Sequence, residues 1–274
     1  MSIKCIALDM DRTTLNADGR LSEKTKKALE YAIEKGVHVV IASGRAFSAL
    51  PEEVTSIAGI EYATTCNGAE VYYIPEKRCL QSFCISEEAV CEIMKLTEGA
   101  KVIYECFIKG QAYAAKEYVD DPVRFGAGEK VIDYVKRTRM PKEDIRAFIF
   151  EHKSELCSMD IIVKDPMEKK RIWEQLQKQI SDVYITSSVE QLIEISDKKC
   201  GKHTGVKFVA ERLGIKREEI AAFGDADNDI DMLLYAGVGV AVENASENCL
   251  KAADMVTAHH DKDGVAEGIY KLLT

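Results

Sequence analysis

Apolar positions along this chain switch between two periods. Residues 3–8 form a short, almost unbroken apolar run, the pattern of a strand buried on both faces. Ser22 then opens a stretch in which Thr25, Ala28, Leu29, Ala32 and Ile33 recur at helical spacing, and Gly36 can close it. Residues 37–42 are a second apolar run. Phe47, Leu50, Val54 and Ile57 return to helical spacing, with Pro51 as a point of kinking. Residues 62–66 read as a third strand, ending at Asn67-Gly68. This alternation predicts βαβ units and a parallel sheet.

The end of the chain repeats the style. Val206, Val209, Ala210 and Leu213 predict a helix stopped by Gly214, and residues 220–223 a strand running into Gly224-Asp225. Val238, Val240 and Val242 predict another strand. Asn244 with Glu247 resembles a capping box, residues 254–257 a brief strand, and Asp263 the cap of a last helix with Val265, Ile269 and Leu272 inward. The middle is less regular. Strand-like runs at 101–108, 112–115, 147–150 and 159–163 mix with helical ones at 87–97 and 167–180. The expected fold is α/β: a Rossmann-like, doubly wound parallel sheet core with an inserted α+β domain. The expected boundaries are 1–82 for the first part of the core, 83–194 for the insert and 195–274 for the second part of the core.

Length and composition agree with this outline. At about 150 residues per domain, 274 residues allow two domains and a sizeable core. The net charge of −9 argues against nucleic acid or an anionic membrane as the main partner. No apolar run reaches the ~18 residues of a membrane span, and Asp9 falls where a signal peptide would still be apolar. The nine cysteines are odd in number and lack CxxC spacing; Cys5, Cys66 and Cys91 lie in apolar runs. They read as reduced core thiols of a cytoplasmic protein.

In an open parallel sheet, ligands bind outside the carboxyl ends of the strands. The residues that follow the apolar runs are therefore the candidates. They are Asp9-Met10-Asp11-Arg12-Thr13, Ser43-Gly44-Arg45, Asn67-Gly68-Ala69 and Gly224-Asp225-Ala226-Asp227-Asn228-Asp229. Each alone reads as a turn or a cap, and Lys202 alone as a surface lysine. Together they gather carboxylates, hydroxyls and amides at one sheet edge. Two like charges ~4 Å apart repel by roughly 4 kcal/mol at an effective dielectric near 20. Asp9, Asp11, Asp225 and Asp229 thus need protons, a basic side chain or a divalent cation. Hard oxygens without a matching His/Cys set favour Mg2+.

Asp9-x-Asp11-x-Thr13, Ser43-Gly44-Arg45, Lys202 and Gly224-Asp225-x-x-Asn228-Asp229 resemble the four motifs of the haloacid dehalogenase (HAD) superfamily. Asn67-Gly68-Ala69, the insert after the third strand and Asp263-Gly264-Val265 resemble its Cof-type phosphatase subgroup with a C2 (type IIB) cap. The chain departs from the pattern at Arg12 and Thr14, where the family usually has Gly and Leu, and at His203, where Gly usually follows the lysine.

The resemblance implies a magnesium-dependent phosphatase. Asp9 is then the nucleophile and forms an aspartyl-phosphate, and Asp11 is the acid and base. Mg2+ is held by Asp9, the backbone carbonyl of Asp11 and Asp225, with Asp229 steadying the metal shell. Phosphate is bound by Ser43, Lys202, Asn228 and backbone N–H groups near Met10 and Gly44, while Arg45 and Asn67 are possible substrate contacts. The insert is implied to be a cap that sets specificity, with Tyr113, Tyr118, Arg124 and Phe125 as candidates. The implied partner is a small phosphorylated metabolite, typically a sugar phosphate, bound by a monomer or weak homo-oligomer.

Two other readings share these motifs. A phosphohexomutase would return the phosphoryl group to sugar, and a phosphoacceptor signalling module would keep it. An inactive metabolite-binding descendant is a third, which the retained Asp9 and Asp11 oppose. His259-His260-Asp261 lacks a third spaced ligand and reads as a solvated loop. His38 and Trp173 read as packing.

Overall fold

The computed structural model describes residues 2–274. It contains two compact units. One joins the chain up to Arg45 with Leu50–Gln81 and Gly201–Thr274, and the other joins Ala46–Ala49 with Ser82–Cys200.

The strands, in chain order, are β1 (Cys5–Leu8), β2 (His38–Ala42), β3 (Tyr62–Thr65), β4 (Glu70–Tyr73), β5 (Arg78–Ser82), β6 (Ile103–Ile108), β7 (Gln111–Ala115), β8 (Arg139–Lys142), β9 (Ser158–Ile162), β10 (Val183–Thr186), β11 (Leu192–Asp197), β12 (Ile220–Gly224), β13 (Val238–Val242) and β14 (Met255–Thr257). The first unit holds an eight-stranded sheet in the order β14-β13-β12-β1-β2-β3-β4-β5. The strands from β14 to β3 are parallel, and β4 runs antiparallel to β3.

The unbroken apolar runs hide a period of two. Ile6, Leu8, Val39, Ile41 and Phe223 face one core with Leu29, Val265 and Ile269. Cys5, Ala7, Val40, Ala42 and Ala222 face the other with Val206, Val209, Met232 and Cys249. Helices Glu23–Glu34 and Gly264–Leu273 cover the first face, and Lys202–Leu213, Ile230–Tyr235 and Glu247–Ala252 the second. Each fully buried Leu, Ile or Phe contributes roughly 1.5–3 kcal/mol, so a strand covered on both sides has no polar face to show. All nine cysteines are free thiols. Among the described residues, no helix is long and apolar enough to cross a membrane.

Local signals held at some ends and failed at others. Ser22 caps its helix through the Thr25 N–H at 3.0 Å, and Gly214 ends another in the left-handed conformation. The 47–57 stretch is not one helix. A short turn at Phe47–Ala49 is followed by Pro51, which lacks an N–H, and then by one turn at Glu52–Thr55. The helix after β13 is capped by Ser246, not by the Asn244–Glu247 box. Asp263 precedes the last helix at φ +60° without capping it. Its carboxylate instead accepts the Ser22 hydroxyl.

The second unit is a six-stranded sheet in the order β10-β11-β9-β6-β7-β8, antiparallel except for the β7–β8 pair. Residues 147–150 are helical, not extended, and belong to Ile145–Glu151. Asp144 caps that helix through the Ala147 N–H at 2.9 Å, and a short apolar run alone does not separate the two states. The edge strand β8 was hidden by its polar sequence Arg-Met-Pro-Lys.

On one face of this sheet, register places Glu105 beside Asp160 and Asp160 beside Glu194. All three are buried. Arg139 donates to both oxygens of Glu105, at 2.8 and 3.1 Å. One guanidinium thus faces three carboxylates. Burial, Glu194 and Glu105 together push the Asp160 carboxyl well above the usual range. Folded Asp160 keeps a proton that the unfolded chain gives up. Its contribution to stability is therefore present below the ordinary carboxylate range and lost as pH rises through the folded value. Asp160→Asn, which mimics the protonated acid, is expected to flatten the loss of stability that wild type shows as pH rises above the ordinary carboxylate range. Thermal melts over that rise in pH check this, and a steeper decline in the variant counts against it.

Candidate active site

The adjacent strands β12, β1, β2 and β3 end at one edge of the parallel sheet; the first, second and fourth motifs follow β1, β2 and β12, and Asn67-Gly68 comes after β3. Asp9 leaves β1 with its N–H on the Phe223 carbonyl of β12 at 3.0 Å. Ser43 leaves β2 with its N–H on the Thr64 carbonyl of β3 at 2.9 Å, and its carbonyl accepts the Asn67 N–H at 3.1 Å. The Gly201 N–H donates to the Asn67 carbonyl at 2.8 Å. A side chain at Gly68 would meet the Gly201 carbonyl oxygen at 2.1 Å, so this contact needs glycine. The contact sets the start of helix Lys202–Leu213, whose first residue is the lysine of the third motif.

Lys202 is 1% exposed. Its ammonium donates to Asp9 Oδ1 at 2.6 Å and to Asp229 Oδ1 at 2.7 Å. The other Asp229 oxygen accepts the N–H groups of Asp225 and Ala226, both at 3.0 Å. A Cβ at Gly224 would lie 2.4 Å from Asp229 Cβ, so glycine here lets that carboxylate turn back under its own loop. Thr13 Oγ1 donates to Asp225 Oδ1 at 2.8 Å, and Thr14 Oγ1 to the Asp9 carbonyl at 2.6 Å. Asn228 Nδ2 donates to Asn67 Oδ1 at 3.0 Å.

Asp9, Asp225 and Asp229 are buried, and a carboxylate oxygen of each lies within 4.8 Å of the others. One buried cation faces three buried carboxylates, since Arg12 reaches Asp225 only at 3.9 Å from an exposed position. Burial lifts the Asp9 carboxyl well above its ordinary range, against the pull of Lys202, and Asp229 and Asp225 raise it further. Burial and Asp229 push Asp225 up to about 7. Lys202 is held charged by Asp229 and Asp9 despite its burial. These oxygens therefore suit a hard divalent cation, which would relieve the excess negative charge.

Asp11 stands apart from this cluster. Its side chain is 57% exposed, and Arg45 grips it from Nε at 2.8 Å and Nη2 at 2.5 Å. Arg45, expected near substrate, thus has its guanidinium on Asp11, while its N–H donates to Ser43 Oγ at 3.1 Å. Met10 turns its side chain into the core and offers the site only its backbone. Gly44 is half-buried beside Ser43. Arg12 adopts φ +60°, the left-handed conformation in which glycine is least strained. Its carbonyl is held by Asn244 Nδ2 at 2.8 Å. The roles of Thr13, Thr14 and Asn244 were not assigned from the sequence. The hydroxyls directly after Asp11 were a signal for the first two, whereas Asn244 lies 232 positions from Arg12 and had none.

A family model described as haloacid dehalogenase-like hydrolase matches residues 6–269. The chain belongs to the haloacid dehalogenase-like hydrolases. Phosphatase YwpJ of Bacillus subtilis is 29% identical over 99% of this hydrolase and 100% of its own length. The 5-amino-6-(5-phospho-D-ribitylamino)uracil phosphatase YcsE of the same organism is 29% identical over 98% and 95%. A solved haloacid dehalogenase-like hydrolase from B. subtilis superposes with a TM-score of 0.86 at 28% identity, covering 99% of this chain and 100% of that one. The hydrolase is of the Cof type, a phosphatase acting on phosphoric monoesters.

Proposed function

We propose that this hydrolase releases inorganic phosphate from small phosphorylated metabolites, sugar phosphates among them, through a Mg2+-dependent reaction with an aspartyl-phosphate at Asp9. The observation that carries the reading is the buried group of Asp9, Asp225 and Asp229 around a single Lys202. Asp9 and Asp225, with the Asp11 carbonyl, would hold Mg2+, and Asp229 would steady them. When bound, the ion neutralises phosphate charge and aligns it for attack.

The chain's own groups do the rest. An Asp9 oxygen bonds to phosphorus as the ester P–O bond breaks. Asp11 hands its proton to the departing oxygen. It then takes one from the water that attacks phosphorus, and the bond from Asp9 to phosphorus breaks to free phosphate. Both Asp11 oxygens accept from Arg45, so Asp11 gives up one of those bonds to carry a proton. Lys202 keeps Asp9 in place and adds positive charge, and Ser43, Asn228 and the N–H groups near Met10 and Gly44 hold phosphate oxygens. Asn67 orients Asn228. The inserted unit serves as the cap that sets specificity, and the protein works in the cytoplasm. The name of YcsE, a phosphatase for a phosphorylated ribitylamino compound, supports a small phosphorylated substrate.

Phosphate release from a panel of phosphorylated metabolites, with and without Mg2+, tests the reading. Free phosphate accumulating from a hexose phosphate supports a hydrolase. Phosphate that only changes position supports a mutase, and a phosphoprotein stable for minutes supports a signalling module. Asp11→Asn is expected to slow alkyl phosphate hydrolysis by about 10²–10⁴-fold. p-Nitrophenyl phosphate, whose leaving group needs no proton, should be slowed less. An unchanged dependence on leaving-group pKa removes Asp11 from the acid role.

A further inference from the structure

Lys202 is placed by the turn just before it, and that turn is gripped from two sides. On one side the Gly201 N–H donates to the Asn67 carbonyl at 2.8 Å, and the Gly201 carbonyl lies where a Gly68 side chain would be. A turn further on, a Cβ at Gly205 would meet Thr64 Oγ1 at 1.9 Å, so the helix lies directly against β3. On the other side stands His203. Its imidazole folds back over Gly201, where a Cβ would lie 2.6 Å from both Cε1 and Nδ1. Gly201 itself has φ +132°, a conformation that glycine alone adopts without strain. Behind the ring is Tyr235, with centroids 6.4 Å apart and planes at 48°, within the range of an aromatic contact. Tyr235 ends the helix that begins directly after Asp229.

The ring has few polar ties. Nε2 lies 3.2 Å from Thr204 Oγ1, and Nδ1 is buried without a hydrogen-bond partner among the described residues. Burial lowers the His203 pKa below its ordinary value, so the ring is neutral at neutral pH. It acts through its shape.

We propose that His203 is a positioning residue, a wedge between Gly201 and Tyr235 that holds the turn before Lys202 and so keeps the ammonium between Asp9 and Asp229. Those two contacts are 2.6 and 2.7 Å long, and a turn that relaxes by a fraction of an ångström loosens the grip on Asp9. The catalytic consequence rests on the proposed reaction, whereas the wedge itself does not.

His203→Ala removes the wedge, and His203→Phe keeps a ring without the nitrogens. Circular dichroism checks the fold of each. Hydrogen exchange at the Gly201 amide, read by NMR on the metal-free full chain, is expected to quicken by about tenfold or more in the Ala variant and to stay near wild type in the Phe variant. With p-nitrophenyl phosphate and saturating Mg2+, the Ala variant should lose about 10–10²-fold in kcat and kcat/KM alike, the loss that misplacement by up to about 1 Å brings. The Phe variant should recover most of it. Unchanged exchange or unchanged kcat in the Ala variant overturns the proposal. A Phe variant as impaired as the Ala variant does so too, because it assigns the effect to the nitrogens. If wild type releases no phosphate, the hydrolase reading fails instead, and the exchange comparison still decides the wedge.

Discussion

Asp9→Asn is expected to reduce p-nitrophenyl phosphate turnover by about four orders of magnitude or more, as removal of a nucleophile does elsewhere. The fold should survive. The substitution keeps the side chain's volume and removes one of three carboxylates crowded around Lys202, which still has Asp229 at 2.7 Å. Because burial and two neighbouring carboxylates oppose ionisation of Asp9, the metal-free variant should melt no lower than wild type at neutral pH. A phosphate-release assay alongside a thermal melt checks both halves. Normal hydrolysis by this variant would falsify the nucleophile assignment.

Lys202→Met carries the second large effect, and here stability suffers first. Lys202 is buried with both of its partners. Removing one member of a buried ion pair typically costs about 3–5 kcal/mol, because a charge is left unpaired. The cost should shrink as pH falls, since a protonated Asp9 no longer needs a cation. Urea melts of metal-free protein at several pH values test this, and equal stability of variant and wild type near pH 8 would contradict the charge balance inferred at the site. Millimolar Mg2+ should restore part of the lost stability by taking over neutralisation of the carboxylates. Activity should stay low, because Lys202 also keeps Asp9 in place for attack.

The site was more legible than the cap-like unit, and the reasons lie in particular residues. Asp9, Ser43 and Asp225 each follow a strand directly, and Asn67 follows one with only Cys66 between, so finding the strands placed them. Arg45 on Asp11 was not legible, because a guanidinium's partner depends on which loops meet. The row of Glu105, Asp160 and Glu194 was invisible for the same reason. Each sits alone in its own segment, and only antiparallel register sets them side by side. Residues 147–150 misled because an apolar tetrapeptide suits a helix or a strand, and the deciding cap, Asp144, lies outside it.

The amino-acid sequence alone determined the layered α/β core, the order along the chain of its six parallel strands, though not β4 and β5, and the residue types at the strand ends. Those properties come from local periodicity, turn chemistry and the rule that a parallel sheet opens at its carboxyl edge. Tertiary structure alone decided the partners. It set Lys202 between Asp9 and Asp229, turned Asp11 out to Arg45, and brought His260 and Asp261 onto the backbone that follows Asp11. Hydrogen bonds and ion pairs act over a few ångströms, and residues hundreds of positions apart come within that range only once the chain has packed.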